Sequence, residues 1–305
     1  MNLNKLKKLI ENSSSWVESE EILFGWSGER KFKIKDKDNK EFLLRVLTKD
    51  QYEDQKDGVE HLIKCSEISD YVPKVISHGK TTDEQYYLLL AYIPGSNGME
   101  IIKKYTKKEQ YELGYKMGRI IKHLHKICLP TLKPTEIVKF EQKVKKFYDY
   151  FIENRAKYPF LKNTENIIKE FEGYIQKRPM VMLHNDFHLG NMIINNKDIY
   201  LIDFNRASWG DNIKEFDCLA WSVKYSKQFA IGLLDAYLKN IEFKDEFFKI
   251  LRGYIAIWQI QMLYFIKDQD EEEQQTVIDL VKSTETWFKK DEVVPKWYLK
   301  KDENK

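Results

Sequence analysis

Three oxygen-bearing side chains, Asp186, Asn191 and Asp203, stand at a spacing suited to moving a phosphoryl group onto a hydroxyl. The first two belong to Leu183-His184-Asn185-Asp186-Phe187-His188-Leu189-Gly190-Asn191, an H-x-D-x-x-x-x-N pattern. The third closes the apolar run Ile199-Tyr200-Leu201-Ile202 and precedes Phe204-Asn205. On a loop, Asp186 can orient an acceptor hydroxyl and take its proton. Asn191 offers a neutral amide oxygen to a metal, and Asp203 a charged one. Mg²⁺ prefers oxygen and keeps several waters, so one carboxylate, one amide and the phosphates of a nucleotide suffice as its partners. Aspartate and asparagine also populate loops for local hydrogen-bonding reasons. Two motifs in this order, with a loop and then strands as their setting, favour the chemical reading. Gly190 relieves a tight turn before Asn191, and His184 is read as holding the loop, not as the base.

These residues resemble the aminoglycoside phosphotransferase family, small-molecule relatives of the protein kinases. The resemblance covers nearly the whole length. It is strongest in His184-x-Asp186-Phe187-His188-x-Gly190-Asn191 and Leu201-Ile202-Asp203-Phe204, and continues into Trp209-Gly210-Asp211 and Glu215-Phe216. It implies an α+β, two-lobed, protein-kinase-like fold. A small antiparallel β N-lobe, residues 1–93, binds nucleotide; a larger, mostly helical C-lobe, residues 94–305, carries the catalytic loop and the acceptor site. A helical insert at about residues 137–177 walls the acceptor. The donor is ATP or GTP with Mg²⁺, and the acceptor is a small-molecule alcohol, foremost an aminoglycoside. Related sequences phosphorylate macrolides, choline, homoserine and sugars through the same catalytic residues, so a metabolic or other-antibiotic kinase is the alternative. A catalytically silent nucleotide-binding module is the reading from another class. Asn185 stands where protein kinases carry arginine, and no A-P-E follows Asp203. Activation-loop phosphorylation and a protein substrate are therefore not expected.

The elements that must position nucleotide come first in the chain. A short helix over Leu3 to Asn12 leads to strands Glu21 to Phe24, Lys31 to Lys35 and Glu41 to Leu47, separated by the turns Gly25-Trp26-Ser27-Gly28 and Asp36-Lys37-Asp38-Asn39. By the resemblance, the first turn closes over phosphates with backbone N–H groups and the Ser27 hydroxyl; a plain hairpin turn reads the same way. The third strand carries Arg45 where kinases use a lysine to hold the α- and β-phosphates. Arginine keeps the charge but adds a planar fork. Its ion-pair partner is placed on a helix over Gln51 to Cys65, with Glu60 chosen and Glu53 or Asp57 as alternatives in another register. The buried strand Tyr86 to Ile93 ends at Pro94-Gly95, and the family hinge there offers the backbone of Ala91 and Ile93 to the nucleobase. His188 is placed near phosphate or the acceptor.

Farther on, Lys107 to Ile127 has the spacing of an amphipathic helix ending in Leu124-His125, and Val138 to Asn154 and Thr164 to Gln176 read as two more helices. His123 and His125 fit packing or capping better than metal binding. Asp211 and Glu215 are candidates to steady the catalytic loop through its backbone amides. The acidic run Asp268, Asp270, Glu271, Glu272 and Glu273 either receives a polycation or begins a helix.

Composition sets the outer bounds. With 305 residues, 42% of them hydrophobic and 14% aromatic, the chain can bury a large core and is too aromatic for disorder. Its net charge of +3, from 51 basic and 48 acidic residues, points to neither nucleic acid nor membrane. Cys65, Cys128 and Cys218 lack both disulfide-framework and zinc spacing. No stretch has the form of a signal peptide or a membrane span. The expectation is a cytoplasmic monomer.

Overall fold

The computed structural model describes residues 2–23, 28–128, 134–171, 179–288 and 292–299. They form two compact units. The first comprises Met1–Ser96 and Ile193–Ala207, the second Asn97–Met192 and Ser208–Lys305.

The first unit is built on an antiparallel sheet of β1 (Trp16–Ile22), β2 (Arg30–Asp36), β3 (Glu41–Leu47), β4 (Val75–Lys80) and β5 (Tyr86–Ala91), in the order β1-β2-β3-β5-β4. Side chains alternate across it. Phe32, Ile34, Leu44 and Val46 are buried with Leu6, Leu9, Ile10 and Trp16, so one face packs on helix α1 (Leu3–Leu9). Lys31, Lys33, Leu43 and Arg45 share the opposite face, and Lys31 lies directly across from Arg45. β1 begins earlier than its composition suggests. An edge strand tolerates Glu18, Glu20 and Glu21 because one of its sides faces solvent.

Helix α2 (Lys49–Ile68) opens with a capping box in which Thr48 and Gln51 satisfy each other's amides. Gly58 interrupts its helix-forming sequence for a packing reason: a Cβ there would lie 2.2 Å from the carbonyl oxygen of Phe204. The helix therefore backs closely onto the turn Phe204–Arg206. A hairpin of β8 (Met192–Asn195) and β9 (Asp198–Leu201), turning at Asn196 with φ 55°, delivers the chain to that turn. The Leu201 N–H donates to the Tyr71 carbonyl at 2.9 Å and holds the hairpin end.

The second unit is mostly helical. After the two-residue strand β6 (Ser96–Asn97) and the single-turn helix α3 (Gly98–Ile101), helix α4 (Lys107–Leu124) starts with a Thr106–Glu109 capping box. It packs against α8 (Lys227–Tyr237) at backbone distance. A Cβ at Gly114 would sit 2.0 Å from Phe229 O, and one at Gly232 2.1 Å from Tyr111 O. Neither backbone can yield, so Gly232→Ala should cost about 1–3 kcal/mol or more and lower the melting temperature by several degrees. Calorimetry checks this, and an unchanged transition would refute so close a packing.

Helix α9 (Lys244–Phe265) is the buried centre of this unit, with α5 (Pro134–Glu153), α6 (Thr164–Phe171) and α10 (Glu271–Glu285) against it. Residues 172–176 of the expected second insert helix lie outside the described residues. β7 (Met180–Leu183) pairs antiparallel with β10 (Ser208–Asp211), Leu183 opposite Ser208. Helices α7 (Leu219–Tyr225) and α11 (Lys296–Leu299) complete the unit. The fold is thus α+β, with the sheet in the first unit and helices dominating the second. Among the described residues no helix is long and apolar enough to cross a membrane.

Candidate active site

The catalytic-loop motif leaves β7 at Leu183 and ends in the tight turn Leu189–Asn191. Asn185 adopts φ 62°, a left-handed conformation that asparagine tolerates better than most residues. What fixes this path is Glu215, whose residue is 1% exposed. Its Oε2 accepts from the His184 N–H at 2.7 Å and its Oε1 from the Asn185 N–H at 2.9 Å. The same Oε2 accepts from His125 Nε2 at 3.2 Å. Burial works to raise the pKa of Glu215, but the His125 ring and the His184 N–H outweigh it and hold the carboxyl below its usual range. Asn212 Nδ2 donates to the Tyr237 hydroxyl at 2.8 Å, and that hydroxyl is hydrogen-bonded to His125 Nδ1 at 2.8 Å. His125 is therefore committed to this chain. Asp211 accepts from the Ile213 N–H and the Tyr254 hydroxyl, each at 3.1 Å, and so holds the turn that leads to Glu215.

Further bonds run along the loop. The buried Cys218 thiol donates to Phe187 O at 3.3 Å, and burial pushes its pKa up, so it remains a protonated donor. Ser222 Oγ accepts from the Leu189 N–H at 3.1 Å, and Asn97 Nδ2 donates to Gly190 O at 2.6 Å. Asn185, at the kinase arginine position, receives Lys214 Nζ at 2.9 Å and donates to Ser208 Oγ at 2.6 Å. These are built-in bonds, requiring no phosphorylated partner. Of these anchors, Cys218, Ser222, Asn97 and Lys214 carried no sequence signal, because each reaches the loop from a distant part of the chain.

At the centre, the Asp186 side chain remains 27% exposed, with its Oδ1 3.3 Å from His188 Nε2. His188 Nδ1 accepts from the Gly190 N–H at 3.0 Å. The ring expected near phosphate or the acceptor is thus braced within the loop against Asp186. Asn191 Nδ2 donates to Asp186 O at 2.9 Å, which leaves its Oδ1 as the open end of the amide. That oxygen fits the chemistry of a hard cation.

The first unit carries a group of residues of its own. Asp203, with φ 66°, turns the chain sharply after β9. Its carboxylate is partly exposed, and among the described residues no hydrogen bond or ion pair engages it, which also suits a metal ligand. Arg45 is 5% exposed. Its Nε and Nη2 grip Glu29 at 2.9 and 2.6 Å, and Nη2 also reaches Gln55 Oε1 at 2.8 Å and Asn205 Oδ1. Burial works to raise the pKa of Glu29, but Arg45 and then Lys31, at 3.2 Å, hold it below the usual range.

The expected pairing of Arg45 with Glu60 is therefore corrected. Glu60 is exposed, and α2 presents Gln55 to the arginine instead. At about 100° per residue, positions five apart cannot share a helix face. The hinge also differs in part. The Ala91 N–H is taken by Lys74 O at 2.9 Å and the Tyr92 N–H by Glu41 O at 3.1 Å, whereas no described residue accepts from the Ile93 N–H. Ser27 lies outside the described residues. In the acidic run, Asp270 caps α10 by accepting from the Glu273 N–H at 2.9 Å, and Glu271, Glu272 and Glu273 fill the first turn. The run serves as a helix start.

An antiparallel sheet unit with a basic third strand and an acid-ended hairpin, and a helical unit with an H-x-D-x-x-x-x-N loop, define the protein-kinase-like class of phosphotransferases. Residues 19–247 match the profile of APH, the phosphotransferase enzyme family, and the chain belongs to that family. In fold it is similar to the APH(2")-IIa of a gentamicin complex, with TM-score 0.59 and 20% identity over 92% of this chain and 93% of that one. It is similar to a thermostable APH(4)-Ia mutant in ternary complex with AMP-PNP and hygromycin B, with TM-score 0.62 and 13% identity over 90% and 96%. The GDP complex of aminoglycoside 2'-phosphotransferase-IIIa matches with TM-score 0.60 and 14% identity over 93% and 99%. A search of curated proteins found no match to the sequence.

Proposed function

We propose that this protein transfers the terminal phosphoryl group of ATP or GTP to a hydroxyl of a small molecule, foremost an aminoglycoside. The observation that carries the proposal is the Asp186 loop, whose path is fixed by Glu215, Cys218, Ser222 and Asn97 while the Asp186 carboxylate stays accessible. Asp186 orients the acceptor hydroxyl and accepts its proton. The Asn191 amide oxygen and the Asp203 carboxylate are the protein's ligands for Mg²⁺, which when bound offsets the charge of the phosphates. The Ile93 N–H donates to the nucleobase. Support for the acceptor class comes from similar proteins solved with gentamicin and hygromycin B. The protein acts as a cytoplasmic monomer, where both nucleotides are available.

The test is a coupled nucleotide-consumption assay with ATP and GTP in parallel, against aminoglycosides, macrolides, choline, homoserine and simple sugars. Turnover that depends on a kanamycin-like compound is the expected result. Turnover only with a metabolic alcohol keeps the roles of Asp186, Asn191 and Asp203 and replaces the acceptor. Tight Mg-nucleotide binding with no turnover on any acceptor would shift the reading to a binding module.

A further inference from the structure

Arg45 occupies the position at which kinases grip phosphate, yet in this chain the edge of its guanidinium formed by Nε and Nη2 is closed by Glu29. The Glu29 side chain is fully buried and lies between Arg45 and Lys31. Such a bidentate carboxylate pair uses the geometry that a phosphate would need. Asn205 brings a third oxygen to the same guanidinium from the turn two residues after Asp203, and Gln55 brings a fourth from α2. Arg45 thus joins β3, α2 and the Asp203 turn at one buried point.

The turn has need of such a tie. Asp203 sits in left-handed backbone that an aspartate adopts only at a cost in energy. On its far side, the Phe204 carbonyl is pressed against α2 at Gly58. We infer that Arg45 is a positioning residue: through Asn205 it fixes the turn that presents Asp203, with Glu29 as its counter-charge, and it is not the phosphate clamp. The catalytic consequence rests on the phosphotransfer reading above; the structural tie does not.

Lysine separates the alternatives. A phosphate clamp tolerates Arg45→Lys, since lysine is the usual kinase residue there, whereas an ammonium lacks the planar fork needed to serve Glu29, Gln55 and Asn205 together. Hydrogen exchange of residues 201–207, in protein free of nucleotide and Mg²⁺, reads the tie directly. Arg45→Lys and Asn205→Ala should each speed exchange there by about tenfold, as expected for losing a charged hydrogen bond. The double variant should be no faster than either single one. Asn205→Ala retains the Arg45–Glu29 pair, so a wild-type melting temperature in that variant separates loss of the tie from general unfolding.

In turnover, the Mg²⁺ concentration for half-saturation should rise about tenfold in both variants, while the nucleotide KM at saturating Mg²⁺ stays unchanged. Wild-type exchange in both variants, or a wild-type Mg²⁺ dependence of turnover in Arg45→Lys, would overturn the inference. If the wild-type protein consumes no nucleotide with any acceptor, the proposed function falls and the exchange measurement still decides the role of Arg45.

Discussion

Asp186→Asn should lower turnover by about 100-fold or more with little change in nucleotide affinity. The substitution is nearly isosteric. It leaves untouched the bond from Asn191 Nδ2 to the Asp186 backbone carbonyl and those from Glu215 to the preceding amides, so the loop keeps its path. What it removes, on the proposed function, is the negative charge that orients the acceptor and the oxygen that takes its proton. A 100-fold loss corresponds to about 2.7 kcal/mol of transition-state stabilisation, within the usual range for general-base catalysis. Single-turnover kinetics with Mg-nucleotide, beside a direct binding titration, separate the two effects. Turnover equal to wild type would remove Asp186 from the role of base.

The second large effect is expected at Glu215. Its carboxylate serves the His184 and Asn185 amides and the His125 ring from a site closed to water. Glu215→Ala leaves buried donors without an acceptor, and loss of one partner from a buried charged network costs about 3–5 kcal/mol. Glu215→Gln is smaller in volume change yet turns an N–H₂ group toward donors. Urea unfolding should show the loss in both variants. Turnover should fall as well, because Asn185 and Asp186 are adjacent and the loop would no longer be held.

The pH dependence of that loss has a definite sign. The folded-state pKa of Glu215 is depressed, so its contribution is fully present above the unfolded value, about 4.3. It fades as pH falls through the folded value. The stability gap between wild type and Glu215→Gln should therefore be widest near neutral pH and narrow in acid. A gap that widens in acid would contradict an ionised Glu215.

Residues that act through close sequence neighbours were legible in advance. The strands Arg30–Asp36 and Glu41–Leu47 follow from the turn residues that separate them, α4 from helical spacing, and Glu215 from its place in the motif series. Glu29 was within reach too. It is two residues before Lys31, which lies directly opposite Arg45, so hairpin register puts Glu29 diagonal to the arginine on the same face. Sequence alone favours Glu60 because an acid on the following helix is the usual partner, and which face of α2 meets the sheet leaves no mark in the residues from Gln51 onward.

By itself, the sequence determined the reaction chemistry and the elements that carry it. The order of Asp186, Asn191 and Asp203 is a local pattern, and chemistry of this kind depends on residue types at short, fixed separations. Tertiary structure alone decided how those groups are held. Arg45 meets Asn205 across 160 positions of chain, and Cys218 meets Phe187 across 31. Which side chain fills such a gap depends on helix rotation and on backbone approach allowed at single glycines such as Gly58, and neither leaves a periodic mark in the sequence.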